Sequence, residues 1–70
     1  MFRIEWLASR QETEPIGRMT YGGILGHAAF IYAQSSFAEV KRRHPTVTGF
    51  RIVDEASVEV RCWFVGDNYR

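Results

Sequence analysis

Gly49-Phe50-Arg51-Ile52-Val53-Asp54-Glu55-Ala56-Ser57-Val58-Glu59-Val60-Arg61-Cys62-Trp63-Phe64-Val65 is the stretch whose reading decides the fold of this chain. Phe50 and Ile52 alternate with Arg51 and Val53, and Val58, Val60, Cys62 and Phe64 alternate with Glu59, Arg61, Trp63 and Val65. A period of two puts each set on one side of an extended strand, and the polar residues from Asp54 to Ser57 have turn composition. The stretch predicts a β-hairpin. Gly66, Asp67 and Asn68 stop its second strand and leave Tyr69 and Arg70 as a short tail.

Upstream of the hairpin, Pro45 disfavours helical geometry at His44 and ends an element there. Its start reads as Ser36, because Glu39 three residues on completes a Ser-x-x-Glu capping box in which hydroxyl and carboxylate each accept from an orphaned backbone donor. A helix from Ser36 to His44 follows, with Phe37 and Val40 on its apolar side and Lys41, Arg42, Arg43 and His44 in its last turn, where positive charge complements the helix dipole.

Farther upstream, Gly22-Gly23 reads as a tight turn, with His27 to Ala33 as a strand. The competing reading is a helix from Ile24 onward, since Leu25, Ala28, Ala29 and Tyr32 also fit a 3.6-residue period. The strand is preferred because Gly26 weakens a helix and the next helix has a start of its own. Residues 10 to 17 lose all periodicity and read as a loop, and Phe2, Ile4 and Trp6 alternating with Arg3, Glu5 and Leu7 predict a first strand. The sum is one α+β domain over residues 1 to 70, a four- to five-stranded, mostly antiparallel sheet with one short helix packed on one face.

Composition narrows the function. With 70 residues there is room for one core, and 46% hydrophobic and 14% aromatic residues are enough to build it. The one cysteine, Cys62, can form no internal disulfide, which points to a reducing compartment. Arg3 and Glu5 stand where a signal peptide would begin its apolar core, and no apolar run is long enough for a membrane, so the expected location is the cytoplasm. A net charge of +1 gives no global field for a polyanion, although eight of the nine basic residues are arginine, which suits planar and stacked contacts at interfaces.

No catalytic constellation emerges. Cys62 shares its strand parity with Val58, Val60 and Phe64 and reads as a core residue, His27 and His44 with one cysteine do not make the spaced ligand pairs of a metal site, and Ser35 and Ser36 are explained by helix capping. The six glycines match neither a P-loop nor a dinucleotide fingerprint. The expectation is a non-enzyme without cofactor or metal.

If Phe2, Ile4, Trp6, Phe50, Ile52, Val58, Val60, Cys62 and Phe64 face the helix, the opposite face carries Leu7, Ile31, Val53, Trp63 and Val65 beside Arg3, Arg51 and Arg61. Apolar residues ringed by arginine have the composition of a protein interface, unless segment 10 to 26 covers Trp63. The candidate partner-binding residues are Arg51, Arg61 and Trp63, together with Lys41, Arg42 and Arg43 at the helix end, whose charges equally serve the helix dipole. The partner is expected to be a protein or ribonucleoprotein, or a second copy of the chain. The alternative is a small nucleic-acid-binding domain that uses the arginines and stacks bases on Trp63.

The layout of strand, loop, second strand, Ser-capped helix and terminal hairpin resembles that of small phage-encoded anti-CRISPR proteins of the type I-F class. The parallel runs from Phe2-Arg3-Ile4-Glu5-Trp6 through Ser36-Phe37-Ala38-Glu39-Val40 to Phe50-Arg51-Ile52 and Val58-Glu59-Val60-Arg61. This resemblance implies a phage or mobile-element inhibitor that occupies, stoichiometrically, a surface of a large host ribonucleoprotein in the host cytoplasm.

Overall fold

The computed structural model describes residues 1 to 67, so the tail at Tyr69 and Arg70 lies outside the described residues, as does Asn68. Four strands and one helix follow in the order β1 (Phe2–Leu7), β2 (Gly17–Tyr21), α1 (Gly26–Arg43), β3 (Gly49–Val53) and β4 (Glu59–Phe64). The strands form one antiparallel sheet in the order β2-β1-β3-β4, and α1 crosses one face. The α+β architecture expected from the sequence is the one observed.

β1 sits inside the sheet because it can use both its edges. Its helix-facing residues pair with Ile4 opposite Met19 and Ile52, and Trp6 opposite Gly17 and Phe50. Ile4, Trp6, Phe50 and Ile52 join Ala29, Phe30, Ala33 and Val47 in the core. Phe50 is its hub, with ring centroids 5.5 Å from Trp6, 5.6 Å from Phe30 and 5.8 Å from Trp63. Edge-to-face and tilted arrangements at these distances are those in which aromatic quadrupoles attract.

Two expectations about the middle of the chain are corrected. His27 to Ala33 is helix, and α1 is a long element of 18 residues rather than a short one beginning at Ser36. Ala29, Phe30, Ala33, Phe37 and Val40 make one continuous apolar stripe at helical spacing, and the small alanines let the helix approach the sheet closely. Burying that stripe outweighs a capping box of about 1 kcal/mol, so Ser36 lies mid-helix and α1 begins after Leu25 with no side-chain cap. The strand displaced from 27 to 33 is supplied by β2, where Met19 and Tyr21 face the helix and Arg18 and Thr20 face away. The helix ends as the sequence predicts, with the His44 amide donating to the Val40 carbonyl at 2.8 Å just before Pro45.

The hairpin is confirmed, but its second strand is turned over. Phe50 pairs with Trp63 and Ile52 with Arg61, so Trp63 and Arg61 face the helix, whereas Cys62 and Phe64 face away. The reason is one large ring. Trp63 packs edge-on against Phe37, with centroids 5.3 Å apart, and lies beside Phe50, and the Arg61 guanidinium sits 4.0 Å over the Phe30 ring. An arginine stacked over an aromatic face keeps its charge in water while its stem shields the core.

β4 is an edge strand, and between Arg61 and Glu59 it carries one extra residue, Val60, as a bulge. The turn before it is fixed by Asp54, whose Oδ1 accepts from the amides of Ala56 and Val58, each at 2.9 Å, with Ser57 at a φ of 65°. On the side away from the helix, Gly49 admits the Phe64 ring, which would lie 2.3 Å from any Cβ at that position. Arg10 closes over the other side of this ring at 4.5 Å and is held there by Asp67 at 2.6 Å.

Candidate partner-binding face

The sheet face opposite α1 is built in rows by the strand register. The central row runs Arg18, Glu5, Arg51 and Cys62 across all four strands, and the next runs Thr20, Arg3 and Val53. Neighbouring strands are about 4.8 Å apart, so Glu5 lies within reach of an arginine on either side and of Arg3 two residues back on its own strand. All three turn toward it through Nε: Arg51 donates to Oε1 at 2.6 Å, Arg3 donates to Oε2 at 2.7 Å, and Arg18 stands 3.6 Å from Oε2.

Glu5 is 4% exposed, although it sits in the middle of the face that carries no helix. Burial raises its carboxyl, and the hydrogen bonds and charges of Arg3 and Arg51 outweigh that and hold it below its ordinary value. The ring around it is open to water in a graded way, with side-chain exposures of 24% for Arg51, 40% for Arg3 and 57% for Arg18. Three positive charges therefore surround one negative charge on a rigid sheet. Beside them lies a shallow hollow of about 210 Å³ lined by Arg3, Glu5, Arg51, Val53, Ser57 and Glu59.

The residues singled out from sequence do not form one patch. Arg51 belongs to this face. Arg61 and Trp63 lie on the helix side, and Trp63 is packed against Phe37 and Phe50, so it offers no stacking platform. Ile31 is on the helix rather than the sheet. Lys41 donates to the carbonyls of Pro45 at 2.9 Å and Val47 at 2.8 Å, which ties down the helix end, while Arg42 and Arg43 both pair with Glu39. The basic helix end and the open face are therefore separate features.

Cys62, expected in the core, is exposed on the open face. Burial of its thiol by neighbouring groups and the nearby Glu59 carboxylate push its pKa up, which keeps it protonated and a poor nucleophile. Among the described residues, no three of His, Cys, Asp and Glu gather as a metal-ligand set, and no helix is long and apolar enough to cross a membrane. Sequence reasoning missed Glu5, Arg18 and Arg10. The signal for Glu5 was present, because a carboxylate at the midpoint of a strand paired on both edges has to find cations on its own face.

Comparison of the chain with protein-family models, curated proteins and solved structures finds no match.

Proposed function

We propose that this chain is a non-enzymatic binding module that occupies a surface of a protein or ribonucleoprotein partner through the open face of its sheet. The observation that carries the reading is the buried Glu5 with three arginines drawn around it. A solvated face needs no buried carboxylate, whereas one that holds Arg3, Arg18 and Arg51 in fixed orientations lowers the side-chain ordering cost of binding. Arginines held in this way are common anchors of protein interfaces. The specific form of the reading is an inhibitor of the phage-encoded, anti-CRISPR kind acting in the host cytoplasm, and its support is the layout of strand, loop, strand, helix and hairpin.

Capture from a lysate of the source cell tests the reading. The tagged chain should retain proteins that an Arg3→Gln/Arg18→Gln variant loses and an Arg42→Gln/Arg43→Gln variant keeps. Identical retention by the wild type and the open-face variant would refute the assignment.

A further inference from the structure

Among the described residues, free positive charge on the open face is confined to Arg3 and Arg18. Arg51 is engaged on two sides, by Glu5 at Nε and by the Thr13 carbonyl at Nη2. Arg3 and Arg18 present Nε to Glu5, and among the described residues their Nη groups donate to no acceptor. Negative charge borders this pair: Glu59 lines the hollow beyond Arg3 and Arg51, and Asp54 and Glu55 line a second hollow with Arg3 and Thr20.

This pattern discriminates between two kinds of anionic partner. A nucleic-acid strand carries charge at every nucleotide and would run from the two arginines onto these carboxylates, with a net charge of only +1 on the chain to draw it in. A short protein segment has no such obligation. Arg3 pairs with Thr20 and Glu5 pairs with Arg18, so Arg3 and Arg18 are diagonal neighbours on antiparallel strands. Diagonal positions lie roughly 7 to 8 Å apart, and alternate residues of an extended peptide lie about 6.6 Å apart.

We infer that the partner element bound by the open face is an extended protein segment with acidic residues at alternate positions, one carboxylate on the Nη edge of Arg3 and the next on that of Arg18. The inference rests on the open-face reading above and names the chemistry of the partner. Each contact is a charge-assisted hydrogen bond to a guanidinium already oriented by Glu5. The Asp54, Glu55 and Glu59 carboxylates at the border repel a segment with further acidic residues, which limits the preferred element to a short one.

The intact chain can be titrated with a capped Glu-Ala-Glu peptide, capped Gln-Ala-Gln and hexathymidylate while the arginine Nε–Hε resonances are followed by NMR. Glu-Ala-Glu should move the Arg3 and Arg18 signals, leave those of Arg42 and Arg43 in place, and bind about tenfold more tightly than Gln-Ala-Gln. Arg3→Gln/Arg18→Gln should weaken it about tenfold, and Arg42→Gln/Arg43→Gln should not. If the double variant loses its native dispersion of shifts, Arg18→Gln alone decides, since that side chain is the most exposed of the three. Absence of selective shifts with Glu-Ala-Glu, or tighter binding of hexathymidylate at the same arginines, would overturn the inference. Loss of partner capture in Arg3→Gln/Arg18→Gln without any response to Glu-Ala-Glu would sink this inference alone and leave the open-face reading standing. Unchanged capture would remove both.

Discussion

The two faces of the same sheet are held in different ways. On the helix side, Phe50 touches Trp6, Phe30 and Trp63 in a layer of rings and branched side chains. On the open side, the middle of the sheet is a carboxylate among guanidiniums. The first arrangement gains from removing apolar area from water and is indifferent to pH. The second gains from charge pairs that water partly screens, so it adds little stability and leaves chemically selective groups at the surface. On the reading proposed above, stability is assigned mainly to one layer and recognition to the other.

The sharpest way to break this contrast is Phe50→Ala. Removing a fully buried phenylalanine costs about 3 to 5 kcal/mol, comparable to the whole stability of a domain this small. Urea denaturation should show a chain largely unfolded in water, and a loss near 1 kcal/mol would show that the ring layer is not what holds the sheet to the helix.

Glu5→Gln should cost less, about 1 to 2 kcal/mol, because it leaves three guanidiniums without their counter-charge but in partial contact with water. Its pH signature separates the faces. The carboxyl titrates lower folded than unfolded, so its contribution is present above the ordinary glutamate value, about 4.3, and is lost as pH falls through the lower folded value. Denaturation midpoints of the wild type should therefore drop in acid more steeply than those of Glu5→Gln. Parallel curves would mean that Glu5 contributes no linked stability.

The smallest effect is expected at Ser36→Ala. With Ser36 inside α1 there is no cap to lose, and alanine's helix propensity should leave stability within about 0.5 kcal/mol of the wild type, on the favourable side. A cost of about 1 kcal/mol, as for a true cap, would move the helix start back to Ser36.

The sequence was legible where local signals and packing agree. β1, the Asp54 turn and the stop at Pro45 each follow from a few adjacent residues. The start of α1 was obscured because Ser36 and Glu39 imitate a capping box, and only the distant strands show that Ala29, Phe30 and Ala33 need burying. Alternation separated Arg61 and Trp63 from Cys62 and Phe64 correctly, yet it could not say which pair faces inward, and the bulge at Val60 puts Glu59 on the side of Cys62 and Phe64 rather than with Arg61 and Trp63. Four modest residues, Val58, Val60, Cys62 and Phe64, looked more apolar than Arg61 and Trp63, and the single indole decided otherwise. On the open face Arg3, Leu7, Arg51 and Val53 were legible, whereas Arg18 was not, because it belongs to a strand with two apolar residues facing the helix and little sequence pattern of its own.

The bulge at Val60 has a consequence for solubility. Val58 to Val65 is rich in β-forming residues, contains neither lysine nor proline, and lies along an unpaired edge with Val58, Val60 and Val65 exposed. A straight strand of that composition would template stacking of further chains, as in fibrils. The extra residue breaks the ladder and increases the local twist, so the outward-facing amides no longer line up for a neighbour. Deleting Val60 would straighten the edge and turn the last strand of the domain into an aggregation seed.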